Sequence, residues 1–220
     1  MYAISTNRHF AWLITVFCFV VVFDLSAQSS LERRIIRKAI VDSAFAQVGN
    51  YEKTNNNDGV IDKYRKAFKQ LGSKAGDAYC SWGILYCMKL NGIKPYTNGR
   101  AKSWEIPESS IIRKFGKIVK NEPIRQGDQC LSYDRKTGSY HIELFVSKIQ
   151  GTDFCLTVGF NTWSKFEHGK RRQGVWIHRR NLKNLIICNQ LQFIFKNEKT
   201  KIHRIATILS ELQRVRLQKN

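Results

Sequence analysis

The chain has 220 residues, with 37 lysines and arginines against 17 acids, which gives a formal net charge of +20. This length suits one ordinary domain with a hydrophobic core. A charge of this size attracts polyanions, although a basic surface that only aids solubility is the plain alternative.

The first 27 residues predict a secretory signal peptide. Arg8 and His9 precede an uncharged apolar run over 10–23, and the small residues that follow predict cleavage after Ala27. At 14 residues the run is short for a membrane span, and an uncleaved anchor is the alternative. The sequence therefore predicts an exported protein, periplasmic or extracellular. In that setting, cell-wall polymers and anionic lipid surfaces are better partners for the charge than nucleic acid, which is not expected.

Two helices are predicted before the first cysteine of the exported part. Apolar residues recur at helical spacing over 31–48, and Gly49 follows as a stop. A loop rich in Asn, Asp and Gly leads to a second helical pattern over 60–71. Gly72 is its predicted C-cap.

Cys80 opens an apolar run that predicts a third helix, extending to Leu90. The residues before it resemble a loop, so Cys80 lies in the first turn, where free backbone N–H groups and the helix dipole favour a thiolate. A lone cysteine in an apolar helix is more often part of the core. Cys87, two turns later on the same face, is predicted to belong to that packing face.

The exported part holds an odd number of cysteines, so at least one of them has no partner within the molecule. Cys80 as a reactive free thiol fits this count. The spacing does not decide whether any pairs form among Cys87, Cys130, Cys155 and Cys188.

The second half of the chain predicts a sheet. A long loop over 95–107 carries Trp104 near its middle, and Gly127-Asp128 marks a tight turn. Strands are then predicted over 129–133, 141–149, 154–159, 175–178 and 186–195. Helices followed by strands predict an α+β domain.

His141 lies in a strand whose alternation separates two faces. Ile142 and Leu144 lie on one face, and His141 and Glu143 lie on the other. A lone histidine in a strand is more often structural, but His141 is aimed away from the aliphatic face. Asn161 follows the next strand. A cysteine on a helix, a histidine on a strand and then a polar orienting residue is the chain order of a papain-like thiol hydrolase.

The tail over 196–220 predicts a basic amphipathic helix. Its apolar residues recur at helical spacing between Ile202 and Val215, and seven basic residues against two acids cover the rest. Packing on the chain's own domain is the favoured interpretation, because most such stripes are buried. A membrane surface or a partner protein is the alternative.

Several short motifs occur in the order found in a known family. They are Val48-Gly49, Asn57-Asp58-Gly59, Tyr79-Cys80-Ser81-Trp82, Gly127-Asp128, His141-Ile142, Val158 with Asn161-Thr162, and Val175-Trp176. On these motifs the stretch from about 40 to 195 resembles the CHAP peptidases, cysteine- and histidine-dependent amidohydrolase/peptidases of bacterial cell walls, and more broadly the NlpC-like wall hydrolases. The resemblance implies a papain-like fold, with the Cys helix packed on a small antiparallel sheet, and cleavage of amide bonds in peptidoglycan.

The same resemblance implies a role for each site residue. Cys80 would be the nucleophile, His141 the general base and later acid, and Asn161 the orienting group. Candidate substrate contacts are Asn57, Asp58, Tyr79, Trp82 and Trp104. No metal and no cofactor is required. The predicted organisation is a signal peptide over 1–27, a CHAP-like hydrolase domain over 28–195 and the tail helix over 196–220.

Two positions depart from the family pattern. The family often has Glu two residues before the asparagine, where this chain has Gly159, and it usually has Gly two residues after the histidine, where Glu143 stands. Glu143 either replaces the lost carboxylate or is a surface acid, and the charge common on exposed strand faces favours the latter. The altered surroundings leave two further alternatives open. One is a non-catalytic wall-binding protein, and the other is a membrane-associated protein acting through its basic tail.

Overall fold

The computed structural model describes the chain in seven stretches, 30–54, 56–74, 76–94, 98–106, 108–164, 171–192 and 194–195. The predicted signal peptide over 1–27 and the predicted tail helix over 196–220 lie outside the described residues. The structure divides into two compact units, Met1–Ile36 and Arg37–Asn220. Of the first unit, residues 30–36 are described, and they are helical. None of the described helices has the length and apolar character needed to cross a membrane.

Helical residues 37–45, called α1, open the second unit. Its fully buried apolar residues are Ile40, Val41 and Ala44. Arg37 is buried beside them, and its Nη1 donates to Oδ1 of Asp128 at 2.7 Å. The predicted helix is thus confirmed over the described residues, but it ends three residues early. Phe45 of the predicted stripe is also 38% exposed.

The single helix predicted over 60–71 is wrong, because the segment is broken into three short turns. They are a 3-10 turn at Gly59–Ile61, α2 at Asp62–Lys66 and a second 3-10 turn at Lys69–Leu71. The side chain of Arg65, which is buried, donates to the backbone carbonyls of Asn57 and Lys74 and so ties this segment to the loops on either side. Gly72 has a φ of 84°, which fits its predicted place as a C-cap.

The third helix, α3, extends over Cys80–Leu90 as predicted. It is buried on most sides, and Cys87 is fully buried, as expected for the packing face. A Cβ atom added at Gly83 would lie 2.1 Å from Cδ1 of Phe160, so only glycine lets the helix approach the sheet this closely. The start of the helix is fixed by Trp104, whose Nε1 donates to Oγ of Ser81 at 2.6 Å.

Within the described part of the chain, seven strands form one sheet. They are β1 Ile111–Lys114, β2 Lys117–Ile118, β3 Gln129–Asp134, β4 Ser139–Lys148, β5 Phe154–Trp163, β6 Gln173–Asn181 and β7 Ile186–Cys188. The order is β2-β1-β7-β3-β4-β5-β6, and all neighbouring pairs are antiparallel. Helix α3 packs on β4 and β5. The domain is therefore α+β, with a few helices against a small antiparallel sheet, as the sequence predicts.

The central strands carry different side chains on their two faces. Ile142 and Leu144 of β4, with Val158 and Phe160 of β5, are fully buried on the face that meets α3. The opposite face carries polar groups around Glu143. It also carries an apolar cluster formed by Ile112, Cys130, Phe145, Cys155, Leu185 and Ile187. The sheet is thus covered on both faces, and a charged residue on its second face can be buried.

The strand predicted over 186–195 is wrong beyond its third residue. Strand β7 ends at Cys188, and residues 190–192 and 194–195 are helical. Asn189 caps this segment, because its Oδ1 accepts a hydrogen bond from the backbone N–H of Gln192 at 3.1 Å. A continuous apolar run does not distinguish a long strand from a short strand followed by a helix.

Candidate active site

Cys80 is the first residue of α3. Tyr79 precedes it with non-helical backbone angles, and the carbonyl of Tyr79 accepts the first helical hydrogen bond from Gly83 at 2.8 Å. The backbone N–H groups of this turn point along the helix axis toward its start, where they and the helix dipole stabilise a negative charge. The residue is 6% exposed, so the thiol lies just below the surface.

The Cys80 thiol is near enough to the His141 ring to raise the pKa of the ring. His141 is the third residue of β4, and its side chain is 26% exposed. Burial of the ring acts to lower the pKa of His141, but the contacts with Cys80 and Glu143 outweigh burial and raise the pKa to about 9. The ring therefore holds its proton at neutral pH, which is the state that stabilises an adjacent thiolate.

Glu143 is the acidic group beside the ring. Its Oε1 lies 3.2 Å from Nε2 of His141, within ion-pair distance, although Nε2 has no partner with hydrogen-bond geometry. The attraction is thus mainly electrostatic. Because Nε2 faces the carboxylate, the arrangement is that of an imidazole held by a third group.

Glu143 is itself fixed by two further side chains. Nε of Arg180 donates to Oε2 at 2.9 Å, a second guanidinium nitrogen donates to Oε1, and the Thr157 hydroxyl also donates to Oε2. Burial acts to raise the pKa of Glu143, but Arg180 and His141 outweigh it and hold the pKa well below its usual range. The sequence favoured a solvent-facing acid here, and that is wrong. Glu143 is 3% exposed, since the partners that keep its charge lie on β5 and β6.

Gly159 provides the space that the Glu143 carboxylate fills. The two residues are direct partners across β4 and β5. A Cβ atom at position 159 would lie 2.7 Å from Oε1 of Glu143 and 3.0 Å from its Cδ. A side chain at 159 and the present position of Glu143 therefore exclude each other.

Asn161 lies inside β5, at a break in the pairing with β6. Its φ is 59°, a left-handed conformation that asparagine tolerates better than most residues. Its Oδ1 accepts a hydrogen bond from Nε2 of Gln173. The side chain is thus engaged by Gln173, and its role as the orienting group stays a prediction.

A cavity of about 480 Å³ adjoins the His141 ring. Its lining includes Ser132, His141, Asn161, Thr162, Arg171 and Arg180. The described lining does not include Cys80. The catalytic histidine candidate and Asn161 therefore share one cavity.

Three of the five candidate substrate contacts belong to the core, which corrects the sequence-based expectation. Tyr79, Trp82 and Trp104 are 0%, 5% and 1% exposed. The ring of Trp82 stacks on Phe68, and Trp104 holds the start of α3. These rings therefore present no open surface to a substrate.

Asn57 and Asp58 form part of their own loop. Nδ2 of Asn57 donates to the carbonyl of Gly76 at 2.8 Å, and Asp58 accepts hydrogen bonds from the backbone and hydroxyl of Thr54. These bonds account for the loop's shape. Their role as substrate contacts stays a prediction.

Sequence reasoning missed Arg180, Thr157 and Arg171 as parts of the site. Arg180 is 37 residues from Glu143 along the chain and meets it only because β4, β5 and β6 are neighbours. The available signal was the pair of departures from the family pattern. A glutamate where glycine is usual, and a glycine where glutamate is usual, indicate an exchange between two paired positions.

No group of three or more metal-binding side chains occurs among the described residues. Comparisons with protein-family models, curated proteins and solved structures give no match to this chain.

Proposed function

We propose that this chain is an exported cysteine hydrolase with a papain-like, CHAP-type fold that cleaves amide bonds of bacterial peptidoglycan peptides. One observation carries the proposal. Nε2 of His141 lies 3.2 Å from the buried Glu143 carboxylate, and the Cys80 thiol is near enough to raise the pKa of the same ring. These three groups supply a nucleophile, an acid–base group and an orienting group in the order that thiol hydrolysis needs.

The reaction follows from this order. The Cys80 thiolate attacks the amide carbonyl carbon, and backbone N–H groups at the start of α3 stabilise the oxyanion. His141 gives its proton to the leaving nitrogen, the C–N bond breaks, and the acyl group stays on Cys80 as a thioester. Water then loses a proton to His141 and attacks the thioester, which releases the acid and restores the thiolate–imidazolium pair.

Two features support wall peptides as the substrate class. The motifs around Cys80, His141 and Asn161 resemble those of wall hydrolases, and α3 packs on an antiparallel sheet as that fold requires. The net charge of +20 also favours retention on an anionic wall. Between the two candidates for orienting His141, the 3.2 Å ion pair favours Glu143 and leaves Asn161 as a residue of the cavity wall.

Digestion of purified peptidoglycan tests the proposal. The wild-type protein and Cys87→Ala should release soluble fragments, and Cys80→Ala should release none, because alanine suits a helix but supplies no thiolate. Cys87 is the matched control, since it lies in the same helix and is fully buried. Mass spectrometry of the fragments identifies the bond that is cut. Release by Cys80→Ala at the wild-type rate, or no release by the wild type, would overturn the proposal.

A further inference from the structure

The cavity beside His141 lies over the polar face of the sheet. Ser132 of β3 pairs directly with His141, and Arg180 of β6 reaches from the far side to Glu143. Ser132 and Arg180 thus line the cavity from the face of the sheet that carries the His141 ring. The cavity is in direct contact with the imidazole, and any molecule within it lies beside the acid–base group.

The position of the cavity relative to His141 decides which part of a substrate it receives. In the reaction proposed above, His141 gives its proton to the leaving nitrogen. The group attached to that nitrogen must therefore lie next to the ring, while the acyl group stays at Cys80. Because His141 lines the cavity, the proposed mechanism places the cavity on the leaving-group side.

The charge of the cavity is positive. Its lining holds the guanidinium groups of Arg171 and Arg180, and none of the described lining residues is acidic. Glu143 lies beneath, but Arg180 and His141 already balance its charge. Arg171, which is exposed, is thus the guanidinium that faces the cavity without an acidic partner among the described contacts.

Hydroxyl groups supply further donors around this charge. Ser132, Thr162 and Ser164 line the cavity, and the Thr162 hydroxyl lies 2.8 Å from Nε2 of His178. A guanidinium with several neutral donors binds a planar anion better than it binds a neutral amide, because hydrogen bonds to an ionised group are roughly twice as strong. Trp163, 47% exposed, adds an apolar residue to the lining.

We infer that this cavity is a subsite for a carboxylate on the amine side of the scissile amide, with Arg171 as its main charged contact. The inference rests on the proposed function and adds a substrate class to it. The preferred amide is one whose leaving amine carries a free acid group. A neutral leaving amine leaves Arg171 without a partner.

A binding measurement isolates the subsite from turnover. The Cys80→Ala protein is titrated calorimetrically with a purified wall stem peptide, and with the same peptide after its carboxylates are converted to primary amides. The acid form should bind about tenfold tighter or more, which is the effect of one charge-assisted contact. Arg171→Gln should remove this preference. Arg172→Gln is the matched control, because its guanidinium stacks on Tyr51 at 4.1 Å and does not line the cavity.

Equal binding of the two peptides, no binding of either, or an equal loss in Arg171→Gln and Arg172→Gln would overturn the subsite. Cleavage by the wild-type protein adds a second test, since the carboxylate that binding needs must appear on the amine product. If that carboxylate appears on the acyl product, the subsite lies on the acyl side of the scissile amide, which contradicts the inference. Preferential binding of the acid peptide without any cleavage would contradict the proposed function and leave the subsite standing. Cleavage of both peptides at equal rates would contradict the subsite and leave the proposed function standing.

Discussion

Glu143 and Gly159 are partners across β4 and β5, and the carboxylate of the first fills the space above the second. The resembling family has these two residue types the other way round, with Gly after the histidine and Glu before the asparagine. Because paired residues on neighbouring strands share one patch of surface, a carboxylate from either position can reach it. The two departures from the resembling pattern thus concern one patch of the sheet, in which this chain carries the acid on β4.

The exchange itself can be tested by reversing it. Glu143→Gly should cripple turnover because it removes the carboxylate, and Gly159→Glu should do so because two acids then compete for one space. The double variant Glu143→Gly/Gly159→Glu restores one acid in the patch, so its kcat and Tm should exceed those of both single variants. Replacing Gly159 by Gln in the double variant is the control for charge. A double variant no better than the worse single one contradicts the exchange.

Gly159→Ala tests the packing alone. The new methyl group would lie 2.7 Å from Oε1 of Glu143 and 2.7 Å from Cγ2 of Thr162, so the carboxylate must shift. Overpacking of this kind costs about 1–3 kcal/mol, which a thermal melt detects. We also expect kcat to fall, because the shift lengthens the contact between Glu143 and His141. A variant with a lower Tm and an unchanged kcat would show that the position of the carboxylate does not matter.

The pH dependence of the site depends on Glu143. The pKa of His141 is raised from 6.5 to about 9, so its contacts contribute stability that is complete below pH 6.5 and is lost as the pH rises through about 9. Glu143→Gln removes an anion, so the ring should lose its proton at lower pH. NMR titration of His141 measures this. Glu108→Gln, an exposed acid outside the described lining of the cavity, should leave the titration unchanged, and an unchanged titration in Glu143→Gln would contradict the ion pair.

Alkylation with iodoacetamide should select one cysteine. Cys80 is 6% exposed, while Cys87, Cys130, Cys155 and Cys188 are 0% or 1% exposed. Cys80 should therefore be modified first in the folded protein, as peptide mapping would show. His141→Ala should slow this reaction near pH 7, because the neighbouring imidazolium no longer stabilises the thiolate. An identical rate and pH profile in His141→Ala would show that the ring does not act on the thiol.

Two variants at Asn161 separate backbone strain from chemistry. Asn161→Ala places an ordinary side chain at a φ of 59° and should lower stability by about 1–2 kcal/mol, whereas glycine accepts this conformation without strain. If Glu143 orients His141, Asn161→Gly should keep kcat within about tenfold of the wild type. If Asn161 is the orienting group, both variants should lose up to about a thousandfold. Comparing kcat with Tm for the pair distinguishes these outcomes.

The sequence predicted those features that depend on local pattern. The limits of α3 follow from an apolar run that ends at Asn91-Gly92, and the polar face of β4 follows from alternation. The sequence did not predict those features that depend on contacts between residues far apart in the chain. The helix over 60–71 breaks at a segment where the buried Arg65 bonds to the carbonyls of Asn57 and Lys74.

The environment of Glu143 is the second such failure. Alternation shows that Glu143 shares a face with His141, but it does not show that this face is also covered. A buried acid needs a cation, and its cation is Arg180, two strands away in the sheet. Glutamate burial was therefore predictable only from the three-dimensional pairing of β4, β5 and β6.

Five buried cysteines, none of them in a disulfide among the described residues, determine how the protein behaves when it unfolds. The folded domain buries four of these thiols almost completely and leaves Cys80 partly accessible. Heat or denaturant exposes all five together, and each can then pair wrongly with another. Recovery of the native state after unfolding therefore depends on a reductant. A thermal scan in air should be irreversible. In excess thiol, the signal of the folded protein should return on cooling.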